Sequence, residues 1–489
     1  MNRTFFSIIA FVLAISCSSA QETTTPTIDL GTKRELFVDY FLIETLENVS
    51  LKQHSPIYRG AVLHFDQPWE GLFCGYITMI HDEGKYRCYY RGSSGGDDGG
   101  THETVCVAFS DDGIHWTKPN LGIVDEYETK ENNVIMTGVL HFAHNFCPML
   151  DSRPGVAREE RYKALAGTHH SGGLHAFYSE DGIHWKKVSD KAVLSTPEEY
   201  QYGFDSQNIP LWSERDNCYL CYFRVVLASG KRAIARATSK DFLHWENIQE
   251  MEVIHDNQTA PFEQFYTNQT GVYFRAPHIH VATPARFMES RRVLTAEQAK
   301  AANVNPSYFN DCSDAVFLTN RNGNRYDRTF MEAFIRPGIG LQNWVSRTNY
   351  PACNILPTSD HEMSIYVNAN YAAPNAELRR YTLRWDGFAS LNAPYDGGTF
   401  VSKPLTFSGN QLSLNFSTSA AGGIKVQLEK PDGTPIPGFT LDECHEIIGD
   451  EIDRKVVWND DTNVSALAGE AVRLRFVMKD ADVYSFRFE

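Results

Sequence analysis

A seven-residue motif that recurs along the chain is the strongest constraint on its fold. Ser110–Trp116 reads Ser-Asp-Asp-Gly-Ile-His-Trp, Ser179–Trp185 differs from it at one position, and Ser239–Trp245 is a degenerate third copy. Two runs with alternating apolar residues, typical of β-strands, precede each copy. Because self-similarity at a period of roughly 60 to 70 residues indicates a repeat architecture, each unit is interpreted as one blade of a ring.

The residue types of the motif suit a structural role. Asp-Gly supplies the positive φ values of a tight hairpin turn, and the tryptophan that follows can bury a large ring between adjacent sheets. A unit of a few strands cannot bury both of its faces alone, whereas a closed ring of such units can. Two weaker units, at 271–317 and 362–388, bring the predicted count to five blades.

The pattern changes after about residue 393, where strict alternation recurs in four segments, at 412–416, 424–428, 472–477 and 484–488. Such alternation predicts a separate β-sandwich. The predicted fold is therefore all-β, a five-bladed β-propeller followed by a C-terminal β-sandwich. Its predicted parts are a signal peptide (1–20), an N-terminal extension packing on the propeller (21–54), the propeller (55–392) and the sandwich (393–489). One short helix, 296–302, is predicted from its capping residues Thr295 and Gln298.

The first twenty residues have the pattern of an export signal. Arg3 carries positive charge, an apolar run follows, and small residues precede Gln21. Cleavage after Ala20 is the favoured interpretation; lipidation of Cys17, as in a bacterial lipoprotein, is the alternative. No later segment is long and apolar enough for a membrane span. The sequence thus predicts an exported protein, periplasmic or extracellular.

Net charge limits the classes of partner, and cysteine content limits the disulfides that the chain is expected to form. A formal charge of -16 without a basic stripe disfavours a nucleic-acid partner. Nine cysteines follow the signal segment, an odd and scattered set unlike a small disulfide-rich scaffold. Cys218 and Cys221 are interpreted as buried strand residues, and a disulfide between Cys88 and Cys106 is left open.

The repeated turns, the predicted propeller and the trailing sandwich resemble the five-bladed glycoside hydrolases of families 32, 43, 68, 117 and 130. Segments 65–71, 330–338 and 344–350 are similar to those of uncharacterised glycosidase-like proteins of polysaccharide-degrading bacteria. The resemblance implies a carbohydrate substrate and a site at the axial mouth of the propeller. The signatures around the catalytic acids of family 32 are absent, so fructan specificity is not implied.

Glycoside hydrolysis typically needs two carboxyl groups, one as acid and one as base or nucleophile. Acids that precede an innermost strand are the candidates, and four catalytic residues are predicted on this basis: Glu70, Asp205, Glu263 and Glu332. Glu332 lies in an apolar run, where a carboxyl group has a raised pKa unless it is paired. For Glu70 a position in a surface loop is an equally weighted alternative, and for Glu332 it is a buried structural pair with Arg328 or Arg336.

Substrate contacts are predicted from the neighbours of these acids. Trp69 could stack on a sugar ring, and amides or imidazoles could bind hydroxyl groups. The second blade opens on His144 and Asn145 instead of an acid, which departs from the pattern that the resemblance implies. The predicted substrate-binding residues are Trp69, His144, Asn145, Gln207, Asn208, Tyr266, Arg336 and Arg347.

Nine arginines lie between Arg275 and Arg347. Guanidinium groups bind carboxylate and sulfate, so an anionic or sulfated sugar is one interpretation, and ion pairing with the chain's own acids is the slightly preferred one. His169-His170 and the pair His278 and His280 lack an evident third ligand, so no metal or other cofactor is expected. A structural calcium ion is left open.

The favoured function is an exported, exo-acting glycoside hydrolase for a plant or algal oligosaccharide or polysaccharide. Two alternatives remain. One is a non-catalytic carbohydrate-binding propeller, and the other is a propeller lyase for uronic-acid polymers that would use the arginines with a histidine or tyrosine base.

Overall fold

A computed structural model describes residues 26–93, 98–99, 102–137 and 141–489 of the chain. The predicted signal peptide, including Cys17, lies outside the described residues. Strands account for 48% of the structure and helices for 4%, so the protein is all-β, with the propeller and sandwich that the sequence predicts. In the part of the chain that the structure describes, no helix has the length and apolar character needed to cross a bilayer.

Five blades form the propeller, and their strands pair antiparallel except for Glu252–His255 with Arg325–Asp327 in blade 4. Blade 1 contains Gly75–Asp82, Lys85–Ser93, Glu103–Ser110, Trp116–Thr117 and Val134–Thr137. Blade 2 contains Cys147–Leu150, Tyr162–Ala166, His175–Ser179 and Lys186–Lys187. Blade 3 contains Tyr202–Gly203, Ile209–Ser213, Cys218–Val226, Arg232–Ser239 and Trp245–Glu250. The first long strand of each of these blades is its innermost one.

Blade 4 is larger. Its main sheet contains Thr270–Val272, His280–Ala282, Leu318–Asn322, Arg325–Asp327, Glu252–His255 and Gln258–Thr259. A three-stranded extension continues it, formed by Phe265–Thr267, Ala285–Met288 and Cys312–Ala315. The predicted helix lies in this insertion at Ala296–Ala301, and the Thr295 side chain accepts from the backbone N–H of Gln298, as its capping residues indicate.

An early strand closes the ring. Blade 5 contains Tyr350–Pro351, Leu356–Pro357, Glu362–Ala369 and Glu377–Arg384 from the end of the propeller, and Ile57–His64 from its beginning. Ile57–His64 pairs antiparallel with Glu377–Arg384 as the outermost strand. Because the first and last parts of the propeller share one sheet, closure requires almost the whole domain to be folded.

The repeated motif forms identical turns on three blades. Oδ1 of Asp112 accepts from the backbone N–H groups of Ile114 and His115, both at 2.8 Å, and Oδ1 of Asp181 does the same in the second copy. The residue after the aspartate is left-handed in every copy, with φ of 72° at Gly113, 73° at Gly182 and 71° at Phe242. The motif is therefore defined by a backbone conformation that glycine adopts most easily.

Each turn also contacts the preceding blade. The hydroxyl of Tyr366 in blade 5 donates to the carbonyl of Gly113, and that of Tyr89 in blade 1 donates to the carbonyl of Gly182. The tryptophans contribute to the same interfaces, since Trp116 packs edge-on against Tyr366 with ring centroids 5.9 Å apart. The motif is thus a joint between neighbouring blades.

The sandwich is formed by both ends of the chain. Its C-terminal strands are Ala389–Ala393, Gly398–Ser402, Leu405–Phe407, Leu412–Glu429, Asp450–Lys455 and Arg473–Phe488. The N-terminal segment, predicted to pack on the propeller, supplies four strands that pair with these: Ile28–Gly31, Arg34–Leu36, Ile43–Glu47 and Ser50–Gln53. Leu36 and Val38 also pack into the apolar core of blades 4 and 5. The N-terminal segment therefore joins the two domains.

Candidate functional site

A narrow cavity of about 20 Å³ lies at the propeller axis, lined from several blades. Its wall is rich in aromatic rings and guanidinium groups: Tyr76, Arg91, Tyr266, Arg347, Tyr350 and Tyr371. Gln207 and Gln269 form its floor, where Nε2 of Gln269 donates to Oε1 of Gln207 at 2.8 Å. Gln207 donates in turn to Thr78 at 2.8 Å, and Gln269 to the carbonyl of Pro351 at 2.6 Å. These bonds tie the inner strands together below the cavity.

Asp205 lies at the rim, in a neighbouring depression of about 360 Å³ that it shares with Asp98 and His144. Its side chain is 41% exposed, and Oδ2 accepts from Nη2 of Arg224 at 2.7 Å. Burial alone would raise the pKa of Asp205, but the contact with His144 and the charge of Arg224 outweigh it and hold the pKa below its ordinary value. Asp205 is thus an accessible carboxylate that remains ionised well into the acid range.

The buried carboxylate of Glu103 orients the imidazole of His144. Nδ1 of His144 lies 2.8 Å from Oε1 of Glu103 and donates to it, which leaves Nε2 facing Oδ1 of Asp205 at 3.4 Å. Burial would raise the pKa of Glu103, but His144 and Arg91 lower it below its usual value. Glu103, His144 and Asp205 therefore form a carboxylate–imidazole–carboxylate chain that runs from the interior to the rim.

Asp98 is the second carboxyl group at this rim. Tyr371 donates to its Oδ1 at 2.8 Å, and Tyr308 donates to its Oδ2 at 3.1 Å. Arg347 also donates to Oδ2, and Arg91 lies 3.2 Å from Oδ1. Two tyrosines and two arginines thus hold Asp98 between the cavity and the outer depression.

Several residues of the rim have unusual backbone conformations. Tyr76, His141 and Arg347 have φ of 51°, 62° and 59°, values that residues other than glycine rarely adopt. Backbone strain of this kind concentrates at functional sites. His141 lies against His170, whose ring is tilted against that of His169 with centroids 3.9 Å apart, so imidazoles line one side of the rim.

Five residues predicted from the sequence meet at this site. Asp205 and His144 lie at the rim, Tyr266 and Arg347 lie in the cavity wall, and Gln207 lies in the floor. They come from four different segments of the chain.

Glu70 and Trp69 lie away from the cavity. Glu70 is fully buried, accepts from the hydroxyl of Tyr90 at 2.6 Å and pairs with Lys118 at 2.8 Å. Trp69 is also buried, and its Nε1 donates to Asn133 at 2.7 Å, so its ring presents no face to a sugar. Both residues are structural, because their polar atoms are already bound inside blade 1, and Glu70 is not in the exposed loop that the alternative expected.

Glu263 and Glu332 are also distant from the rim. Glu263 pairs with Arg286 at 2.7 Å and with Arg328 at 3.1 Å. Glu332 is exposed, so the apolar surroundings expected from its sequence neighbours are not formed around its carboxyl group. Arg336 is exposed as well, and it lines neither depression of the site.

The side chains of Asn145 and Asn208 hydrogen-bond to backbone carbonyls. Nδ2 of Asn145 donates to the carbonyls of Gly167 and Phe204, at 2.9 and 2.6 Å. Nδ2 of Asn208 donates to the carbonyls of Phe204 and Ser206. Both amides thereby shape the loop that carries Asp205, and neither lines the cavity.

Ion pairing accounts for most of the arginine-rich region. Five of its nine arginines pair with acids of the chain: Arg275, Arg286, Arg321, Arg328 and Arg347. His278 binds Glu35 at 2.8 Å. Among the described residues, no group of three His, Cys, Asp or Glu side chains is arranged to hold a metal ion. All nine described cysteines, including Cys88 and Cys106, are buried free thiols.

Arg91 and Arg224 were missed at the sequence level, although a signal for them exists. Each follows a cysteine and two aromatic residues in the long second strand of its blade, Cys88–Arg91 in blade 1 and Cys221–Arg224 in blade 3. The repeat therefore extends to this strand. It places one guanidinium beside Glu103 and the other beside Asp205.

No family model matches the chain, and no curated protein matches it. Solved structures that match are named for carbohydrate-active proteins. A glycoside hydrolase is 10% identical with a TM-score of 0.46, over 68% of this chain and 92% of its own. An N-acetylgalactosamine deacetylase from F. plautii, in complex with blood group B trisaccharide, is 12% identical with a TM-score of 0.44, over 71% and 96%.

A third match concerns the GH130 family of mannoside phosphorylases, which contains glycoside hydrolases that target β-1,2 mannosidic linkages in Candida mannan. It is 15% identical with a TM-score of 0.35, over 72% of this chain and 96% of its own. Similarity at this level does not transfer a reaction, since one fold carries many unrelated activities. The functional argument therefore depends on the site itself.

Proposed function

We propose that the protein is an exported glycoside hydrolase that acts on a chain end of a plant or algal glycan in the rim depression beside the axial cavity. The observation that carries this proposal is the chain formed by Glu103, His144 and Asp205, which ends in an accessible carboxylate beside an aromatic cavity. Aromatic rings suit the apolar faces of sugars, and carboxylates suit their hydroxyl groups and the proton transfers of hydrolysis.

Asp205 is assigned the role of general base or nucleophile. Its lowered pKa keeps it ionised, which is the state that either role requires. When Asp205 activates a water molecule, its carboxylate takes the proton of the water, and Nε2–H of His144, 3.4 Å away, protonates the departing glycosidic oxygen. Buried Glu103, which accepts from Nδ1, stabilises the imidazolium that donates this proton.

Asp98 is assigned to substrate positioning. Its two oxygens already accept from Tyr308, Tyr371 and Arg347, so its carboxyl group is oriented toward the shared rim. A sugar hydroxyl that displaces one of these donors would be held beside Asp205. Because the oxygens of Asp98 are already bound by these donors, we assign proton transfer to the pair of His144 and Asp205 instead.

The closed floor supports action on chain ends. Gln207 and Gln269 join the inner strands below the cavity, so a polysaccharide cannot pass through the axis. The guanidinium groups of the cavity also have carboxylate partners: Arg91 with Glu103 and Arg347 with Asp98. With these charges compensated, the site favours a neutral terminal sugar over an anionic one.

The test is incubation with a panel of neutral and uronic-acid oligosaccharides, followed by analysis of the products. We expect new reducing ends and release of one small sugar from the chain end. Asp205→Asn should abolish the release, while Glu332→Gln, a substitution of an exposed carboxyl group outside the site, should not change it. An unsaturated product that absorbs in the ultraviolet would establish a lyase, and binding without products would establish a binding module; either result would overturn the proposal.

A further inference from the structure

Two buried cysteines meet at the propeller axis, below the cavity floor. Cys147 begins the innermost strand of blade 2, and Cys353 lies between the two short inner strands of blade 5. They pack together with Ile209 in a small buried cluster. The proposed hydrolysis uses neither thiol.

The two sulfurs have different surroundings. Sγ of Cys147 lies 3.5 Å from the hydroxyl of Thr78 and 3.6 Å from Nε2 of Gln207. Burial would raise the pKa of Cys147, but these donors and Cys353 outweigh it and lower the pKa below its ordinary value. Contact with Cys147 and burial raise the pKa of Cys353. One cysteine is therefore the better thiolate and the other remains a thiol, which is the asymmetry that a reacting dithiol needs.

The pair lies beside the axial cavity. Ile77 and Gln207 line that cavity, and Gln207 also contacts Cys147. Because both thiols are buried, the oxidant must be small, and a bulky disulfide does not fit. Hydrogen peroxide has the necessary size.

We propose that Cys147 and Cys353 are an oxidation site that closes into a disulfide across the propeller axis, with a hydroperoxide as oxidant. The Cys147 thiolate attacks one peroxide oxygen, the O–O bond breaks, and sulfenic acid and hydroxide form. The Cys353 thiol then attacks the sulfenic sulfur, the S–S bond forms, and water leaves. Two thiols and one hydrogen peroxide give one disulfide and two waters, and the two sulfurs supply both electrons.

This disulfide would link the inner strands of blades 2 and 5. The ring, which the outermost strand of blade 5 already closes, would then have a second, covalent link. Because residues 147 and 353 are far apart in sequence, the cross-link would restrict the unfolded chain strongly and raise Tm. It would also disturb the Gln207 contacts in the cavity floor. The inference is independent of the proposed hydrolase activity.

Other cysteines provide matched controls. Cys88 and Cys106 lie on neighbouring strands of blade 1, and burial raises the pKa of both thiols. Cys218 and Cys221 belong to one strand, where residues three apart point to opposite faces. We expect neither pair to form a disulfide under the same conditions.

The experiment treats the purified protein with hydrogen peroxide in slight molar excess, then alkylates free thiols in denaturant and maps peptides without reduction. We expect one cross-linked peptide pair containing Cys147 and Cys353, and the loss of two titratable thiols. We also expect a rise in Tm of about 5 °C or more that dithiothreitol reverses. The Cys353→Ser variant should instead carry a dimedone-reactive sulfenic acid at Cys147, and Cys106→Ser should behave as wild type.

Three results would overturn the inference: no loss of free thiols after treatment, a disulfide at another pair, or sulfinic acid at Cys147 in the wild type with Cys353 still reduced. The cross-link is measured in the wild-type protein, so a poorly folding variant does not affect the outcome.

Discussion

Nε2 of His144 lies 3.4 Å from Oδ1 of Asp205, while Nδ1 of the same ring is held 2.8 Å from Oε1 of Glu103. Nε2 has no hydrogen-bond partner of good geometry among the described residues. The imidazole is therefore oriented by the buried acid and left open toward the exposed one. A water molecule or a sugar hydroxyl at Asp205 would complete this chain, and the following predictions test its parts.

Asp205→Asn removes the accessible carboxylate and keeps the size of the side chain. We expect kcat to fall by about 10²- to 10⁴-fold, the usual contribution of a general base. Because the buried guanidinium of Arg224 loses its nearest charge, Tm should also fall. Initial rates and a thermal melt check both expectations, with Glu332→Gln as the control. An Asp205→Asn enzyme with full activity would contradict the assignment.

His144→Gln removes the contact that contributes most to lowering the pKa of Asp205. In the wild type, the acid limb that reports Asp205 ionisation should lie below the ordinary range of an aspartate. In the variant the pKa should rise, and the limb should shift to higher pH by about 1 unit. The pH profile of kcat/KM measures this shift. A lower rate with an unmoved acid limb would indicate that His144 acts by shape alone.

Asp98→Asn should weaken substrate binding more than it slows the reaction. The amide can still accept from Tyr371 or Tyr308, but its ion pair with Arg347 is lost. We expect KM to rise by about tenfold and kcat to change less, as for an interaction that is equal in the ground state and the transition state. A loss of kcat equal to that of Asp205→Asn would instead identify Asp98 as a second catalytic acid.

Glu70→Gln separates a structural role from a catalytic one. Glu70 is buried against Tyr90 and Lys118, and removal of one partner leaves the ammonium group without its nearest charge. We expect the free energy of unfolding to fall by about 3 kcal/mol, as for a broken buried pair. Denaturant titration measures this change. Specific activity of the folded enzyme should match wild type, and a stable but inactive variant would restore Glu70 as a catalytic candidate.

Asp181→Ala tests the joint between blades. Burial would raise the pKa of Asp181, but His184 and the N–H groups of the turn lower it to about 2. The carboxylate therefore stabilises the fold above pH 4, and this contribution is lost as pH falls toward about 2. We expect a loss of about 1 kcal/mol at pH 7 and a smaller difference from wild type in acid. Glu180→Ala, one residue earlier in the same turn, is the control for unfolding titrations at both pH values.

Much of the fold could be predicted because its signals are local. The turn at Asp112 depends on hydrogen bonds within three residues of it, and the helix at Ala296–Ala301 depends on its own capping residues. Strand alternation likewise depends on neighbours in sequence. The pairing of the N-terminal strands with the sandwich has no such signal, since Arg34–Leu36 and Arg473–Phe488 are distant in sequence.

The site was predictable only in part, because its contacts join residues that are distant in sequence. Asp205 and His144 were found from their positions before inner strands. Whether an acid faces the cavity or the interior depends on contacts such as Lys118 with Glu70, between residues far apart in sequence. Residue order along the chain thus specified the blades and their turns. Ring closure brought Asp98, His144, Asp205 and Arg347 to one rim, because each lies on a different blade or loop and only the closed propeller makes them neighbours.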